Sequence, residues 1–128
     1  MPSIRRYLAA PLVAALAIPL MSGAGPSQNT ARLTASVWIR DTPAEPVGSF
    51  RVFLANGTTL SGSCTETYRI DRWRMDAPNR ITIVEDGRAI VSEVTFAGQE
   101  LRMRLRLTGG VREERYRAAR VPYLCPRR

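Results

Sequence analysis

Glu100 to Leu107, ELRMRLRL, alternates with a period of two: from Leu101 onward every second residue is apolar and every residue between is arginine. A helix would spread both sets round its circumference, whereas a β-strand sends successive side chains to opposite faces. The stretch is therefore read as a strand with an apolar wall formed by Leu101, Met103, Leu105 and Leu107. Arg102, Arg104 and Arg106 line the opposite, outward wall.

The flanking turns extend this reading residue by residue. Asp86-Gly87 is a two-residue hairpin signal, and Gly98-Gln99 suits a second such loop with glycine first. The first sets Ile83 opposite Ile90 and Thr82 opposite Val91. The second sets Phe96 opposite Leu101, Val94 opposite Met103, Ser92 opposite Leu105 and Ile90 opposite Leu107. These inward residues share one face and only Ser92 is polar; Glu93 falls opposite Arg104 on the other face, with Arg80 across the earlier hairpin. Two independent turns thus specify one sheet.

Upstream, Ala31 to Arg40 reads as a first strand, with Leu33, Ala35, Val37 and Ile39 on one face. Asp41 to Gly48 is a proline-bearing loop, Ser49 to Ala55 a second strand, Asn56-Gly57 a hairpin turn and Thr58 to Cys64 a third strand. Tyr68 to Met75 is a fourth strand in which Tyr68 and Ile70 have one parity and Trp73 and Met75 the other. A bulge near Asp71-Arg72 would bring all four to one face. Asp76 to Asn79 is turn chemistry. Gly109-Gly110 is expected to turn the chain again, and beyond it the alternation fails: Arg112, Glu114 and Tyr116 share one side, and Val111, Glu113, Arg115 and Arg117 the other. That segment is expected to be an edge strand, a bulged strand or one wet on both faces. Val121 to Pro126 is an extended tail. About eight short strands joined hairpin by hairpin point to an all-β fold, a small antiparallel up-and-down barrel, with a β-sandwich as the alternative.

The amino terminus reads as an address. Arg5 and Arg6 precede an uncharged run from Tyr7 to Met21, and Ser22-Gly23-Ala24 supplies the small residues of a cleavage site. Residues 1–24 are expected to be a secretory signal peptide, 25–30 a flexible lead and 31–128 a single β-domain. The expected location is periplasmic or extracellular, with no stable membrane span after cleavage. In such a compartment Cys64 and Cys125, the only cysteines, are expected to form a disulfide.

The 128-residue chain has a formal net charge of +8, and all 19 of its basic residues are arginine. The absence of lysine points to coding bias in a GC-rich genome more than to selection for guanidinium chemistry, so the charge is weak evidence for a nucleic-acid partner, and none is expected. Histidine is absent as well. That removes Ser-His-Asp and Cys-His catalysis and histidine-bearing zinc sites. No glycine-rich phosphate loop, calcium loop or nucleotide fingerprint occurs. No catalytic residue, metal ligand or cofactor is assigned.

Two groups remain as candidate binding residues. Tyr68 and Trp73 are placed to wall a pocket with Glu66 or Arg69 at its polar end, or else to serve as core aromatics. Arg80, Arg102, Arg104 and Arg106 form either an anion-binding stripe or a solvated strand face that discourages edge-to-edge aggregation. The segments SGSCTETYRIDRW and VPYLCP resemble those of small secreted bacterial β-proteins of lipocalin-like or META-like build. The resemblance covers Ser49 to Pro126 in outline. It implies a compact β-domain and carries over no catalytic residue. The expected function is that of a non-catalytic binding module, with a small apolar molecule as its candidate ligand. The alternative is a protein-interaction or inhibitor module of the cell envelope that uses loops or the arginine face.

Overall fold

A computed structural model describes residues 27–41, 46–120, 122, 124 and 125. The signal-peptide reading of residues 1–24 lies outside them. A short helix, α1 (Gln28–Thr34), leads into eight strands: β1 (Val37–Arg40), β2 (Phe50–Phe53), β3 (Thr58–Gly62), β4 (Arg69–Ala77), β5 (Arg80–Glu85), β6 (Arg88–Ala97), β7 (Glu100–Leu107) and β8 (Gly110–Ala118). Each strand pairs antiparallel with the next, and β8 returns to β1, so the sheet is a closed up-and-down barrel with no free edge.

The hairpins around β5, β6 and β7 adopt the register that their turns specify. Ile83 faces Ile90, Val94 faces Met103, Phe96 faces Leu101 and Glu93 faces Arg104. Asp86 and Gly87 both take positive φ, as a two-residue hairpin of this twist requires. Leu101, Met103 and Leu105 are buried, and Arg102, Arg104 and Arg106 point outward, as the alternation demands.

Four expectations are corrected. Residues Ala31 to Arg40 are not one strand: Gln28–Thr34 is helical, and the strand begins only at Val37. The expected flexible lead is, in its described part, the start of this helix, capped by the Ser27 hydroxyl, which accepts from the Thr30 N–H at 3.2 Å. The helix is held because Leu33 fills one end of the barrel and is fully buried. The Trp38 indole donates to the Leu33 carbonyl at 2.9 Å, and Asn29 and Arg32 donate to the carbonyls of Pro78 and Gly98. Arg32 also lies over the Phe96 ring at 4.3 Å. No isolated seven-residue helix would persist in water; tertiary contacts fix this one.

Second, β4 has no bulge at Asp71-Arg72. Its pairing with β3 and β5 runs evenly from Arg69 to Met75, and the irregularity comes between Met75 and Ala77. Arg69, Asp71, Trp73 and Met75 all face inward, while Tyr68 and Ile70 are 60% and 63% exposed. The inward row changes from polar to apolar along the strand, and that change mimics a break in parity. Third, the last hairpin turns on Thr108-Gly109, with Leu107 opposite Gly110. Fourth, β8 is no edge. It pairs with both β7 and β1, and Arg112, Glu114 and Tyr116 face inward opposite Leu105, Met103 and Leu101.

The barrel is thereby divided along its axis. Leu33, Trp38, Phe53, Trp73, Ile81, Ile83, Val94, Leu101, Met103, Leu105 and Tyr116 pack as one core, which α1 closes at one end and Tyr116 joins to the other, with Phe53 and Trp73 in edge-to-face contact at 5.2 Å. The opposite end is ringed by the loops after β1, β3, β5 and β7. There Cys64 and Cys125 form a disulfide across a sequence separation of 61, with 5.7 Å between their Cα atoms. The chain leaves β8 at the helix-closed end, so this bond brings the carboxy-terminal segment back to the open end. No helix among the described residues is long and apolar enough to cross a membrane.

If α1 closes the barrel through Leu33, Leu33→Ala should lower unfolding free energy by about 2–5 kcal/mol in urea titrations, the range for a cavity in a packed core. A loss below about 1 kcal/mol would show that the helix is not part of the core.

Candidate functional site

The inward-facing residues at the open end are mostly charged. Directly opposed residues on paired strands share a face, so the register passes from Arg40 to Tyr116 across the β1–β8 seam and from Trp38 to Arg51, Ser61 and Arg69 across β1 to β4. Arg40, Arg51, Arg69, Arg112 and Glu114 therefore enter the same interior space. With Glu66, Tyr116, Ser49, Ser61 and neighbouring backbone they line a cavity of about 200 Å³.

Glu114 is its centre. It is 2% exposed, and both of its carboxylate oxygens are engaged. Oε1 meets Arg40 Nη2 at 3.2 Å and Arg112 Nη2 at 3.0 Å, while Oε2 accepts from the Tyr116 hydroxyl at 2.5 Å. Burial pushes the Tyr116 phenol well above its ordinary range; nearby Arg51 pulls it down and Glu114 adds to the rise. Arg51 donates from Nη2 to Glu85 Oε1 at 3.0 Å, and its side chain is only 11% exposed. Burial by itself would lower its pKa, but Tyr116, Glu85 and Glu114 outweigh it and the net direction is upward, so the group is charged. Its Nε and Nη1 are shut off from solvent and have no hydrogen-bond partner among the described residues.

The four expected pocket residues do not form one site. Arg69 and Glu66 both line the mouth, Arg69 pairing with Asp71 at 3.6 Å and Asp86 at 3.3 Å. Tyr68 points to the outside of the barrel. Trp73 belongs to the core near the closed end and donates its indole N–H to the Leu54 carbonyl at 2.9 Å. The outer row is placed as expected, and its charge is largely answered. Arg102 pairs with Glu100 at 2.5 Å, and Arg104 and Arg106 reach Glu93 at 3.4 and 2.8 Å; Arg80 stands opposite Glu93 in the ladder. Those bonds, led by the one from Arg106, hold the Glu93 carboxyl below its ordinary range. Such exposed pairs are screened by solvent and add little to stability.

Arg40, Arg51, Glu85, Arg112, Glu114 and Tyr116 escaped the sequence reading. Their signal was present: starting the last hairpin at Thr108-Gly109 places Arg112, Glu114 and Tyr116 opposite the leucines and methionine of β7. Among the described residues no group of three or more His, Cys, Asp and Glu side chains is arranged to hold a metal ion. No protein-family model matches this chain, and no curated protein matches it.

The buried phenol gives a pH signature. Between the ordinary tyrosine pKa of about 10 and the raised folded value, the unfolded chain gives up a proton that the folded chain keeps, so stability falls as pH rises through that window. Urea midpoints measured upward from about pH 9 should decline more steeply for the native sequence than for Tyr116→Phe. Parallel curves would mean that Tyr116 ionises as freely in the fold as outside it.

Proposed function

We propose that this chain is a secreted or periplasmic, non-catalytic β-barrel binding module whose ligand enters at the charged mouth. The observation that carries the reading is the division of the interior. One half is filled by apolar side chains, while the other turns Arg40, Arg51, Arg112 and Glu114 toward a cavity. A barrel kept only for its stability has little reason to desolvate so many charges, because apolar side chains of similar volume serve as well or better. The same division favours a polar ligand over the apolar one suggested by the sequence, since the apolar half is already packed.

The absence of histidine supports a binding role. So does the state of Glu114, whose oxygens are already committed to two arginines and a phenol and offer no general base. The leader reading of residues 1–24 and the Cys64–Cys125 bond support an exported location. The resemblance to small secreted lipocalin-like or META-like proteins belongs to the same reading. A second reading, an envelope interaction module that uses the outer wall, is favoured by one feature: Arg102 stands directly opposite Arg115 in the ladder, two like charges side by side on the exposed face.

Native mass spectrometry of the mature protein, isolated from its own envelope fraction, tests the proposal. A small molecule released on denaturation is expected, at reduced occupancy in Arg112→Gln. A ligand-free barrel accompanied by another protein would favour the outer wall, and a ligand-free barrel alone would count against the mouth.

A further inference from the structure

We propose that the mouth seats a small oxyanion, a carboxylate, phosphate or sulfate group, against the guanidinium of Arg51. The inference rests on the mouth being the binding site and names the chemistry it takes. Arg51 carries it. The β2 register drives this side chain into the barrel between Trp38 of β1 and Ser61 of β3. There it is about nine-tenths buried, with one nitrogen held by Glu85 and two, Nε and Nη1, without an acceptor among the described residues. A buried donor left unmatched costs about 1–3 kcal/mol, more on a charged group, so two on one guanidinium are a substantial deficit. Few buried polar atoms in folded proteins stay in that condition, and each that does calls for an explanation.

The surroundings define the missing acceptor. The charged side chains lining the cavity are Arg40, Arg51, Arg69, Arg112, Glu66 and Glu114, a net charge of +2. Glu114 cannot turn to Arg51 without giving up Arg40, Arg112 or the Tyr116 hydroxyl. Glu85 already holds Nη2, and Glu66 is exposed, so no described carboxylate serves Nε and Nη1, and the acceptor proposed is an anion from outside the described residues. At about 200 Å³ the cavity is smaller than the ~300–1,000 Å³ typical of drug-sized ligands, which restricts the occupant to a small ion or the ionised end of a larger molecule. Guanidinium groups match oxyanions in geometry, and a charge-assisted bond in a partly desolvated site is stronger than its counterpart in water.

The test is a titration of the mature, oxidised protein with sodium phosphate, sodium sulfate and sodium acetate in turn, and with glucose and ammonium chloride as neutral and cationic probes. Ionic strength is held constant with sodium chloride, and the readout is the ¹⁵N-resolved arginine Nε–H signals. Arg51 is assigned by its loss in Arg51→Lys or, if that variant does not fold, by proximity to Trp38 and Ser61. A saturable shift of the Arg51 signal with at least one anion is expected, weakened about tenfold in Arg112→Gln, which removes one half-exposed cation from the same cavity. The anion that saturates at the lowest concentration separates carboxylate from phosphate or sulfate recognition. If Arg51 stays unmoved while glucose or ammonium shifts mouth residues, the oxyanion is wrong and the mouth remains a binding site. If no probe shifts any mouth residue, both readings fall. Shifts confined to outer arginines such as Arg102 and Arg104 would also overturn the assignment.

Discussion

The contact between Glu114 and Arg40 joins the two strands that close the barrel. β1 is only four residues long and meets β8 over three residue pairs, the shortest of the eight pairings together with that between β1 and β2. Across this short seam a buried carboxylate on β8 holds a guanidinium on β1, and Arg112 and Tyr116 on β8 hold the same carboxylate from either side. A seam so short has few backbone hydrogen bonds to spare. The side-chain cluster lies at the point where the cylinder would most readily open, and it places the guanidinium groups around the mouth.

The two ends of the barrel follow different physics. Near α1 the interior is dry and close-packed. Leu33 closes it from below, two indoles find carbonyl acceptors at 2.9 Å, and burial of Phe53, Ile81, Ile83, Leu101 and Met103 supplies the hydrophobic stabilisation. Near the mouth the inward positions carry ions. Removing one partner of a buried pair is expensive because the other is left unanswered, yet the intact pair contributes little against well-packed apolar residues. The closed end thus supplies the stability that permits a charged open end, and the Cys64–Cys125 bond reinforces the loops around that end.

The same division explains what could be read from the sequence and what could not. The strands from Ile81 to Leu107 were legible because their inward residues are apolar and their turns are two-residue loops, so period and register agreed. The failures came where the interior is polar. On β4 the inward row runs Arg69, Asp71, Trp73, Met75, and a reader who expects apolar residues inside infers a bulge that is not there. On β8 the inward row Arg112, Glu114, Tyr116 looks like a wet edge for the same reason. α1 was missed on other grounds: Leu33, Ala35, Val37 and Ile39 do alternate, but the helix depends on a cap at Ser27 and on contacts with Pro78 and Gly98, far away in sequence. Of the candidate binding residues, Glu66 and Arg69 were found at the mouth. Tyr68 and Trp73 were separated by the strand parity that the supposed bulge would have reversed.

If the charges in the mouth are kept for binding, as proposed, they are dispensable for the fold. This expectation is tested most directly by removing them together, as Arg40→Met, Arg51→Met, Glu85→Leu, Glu114→Leu and Tyr116→Phe in one chain, and measuring urea unfolding against the native sequence. Of the described ions paired with this set, only Arg112 then loses a partner, and its side chain is half exposed. A folded barrel is expected, with stability within about 1–2 kcal/mol of the native value or above it. A loss beyond about 3 kcal/mol, or failure to fold, would mean that the charged cluster holds the seam closed and owes its presence to structure.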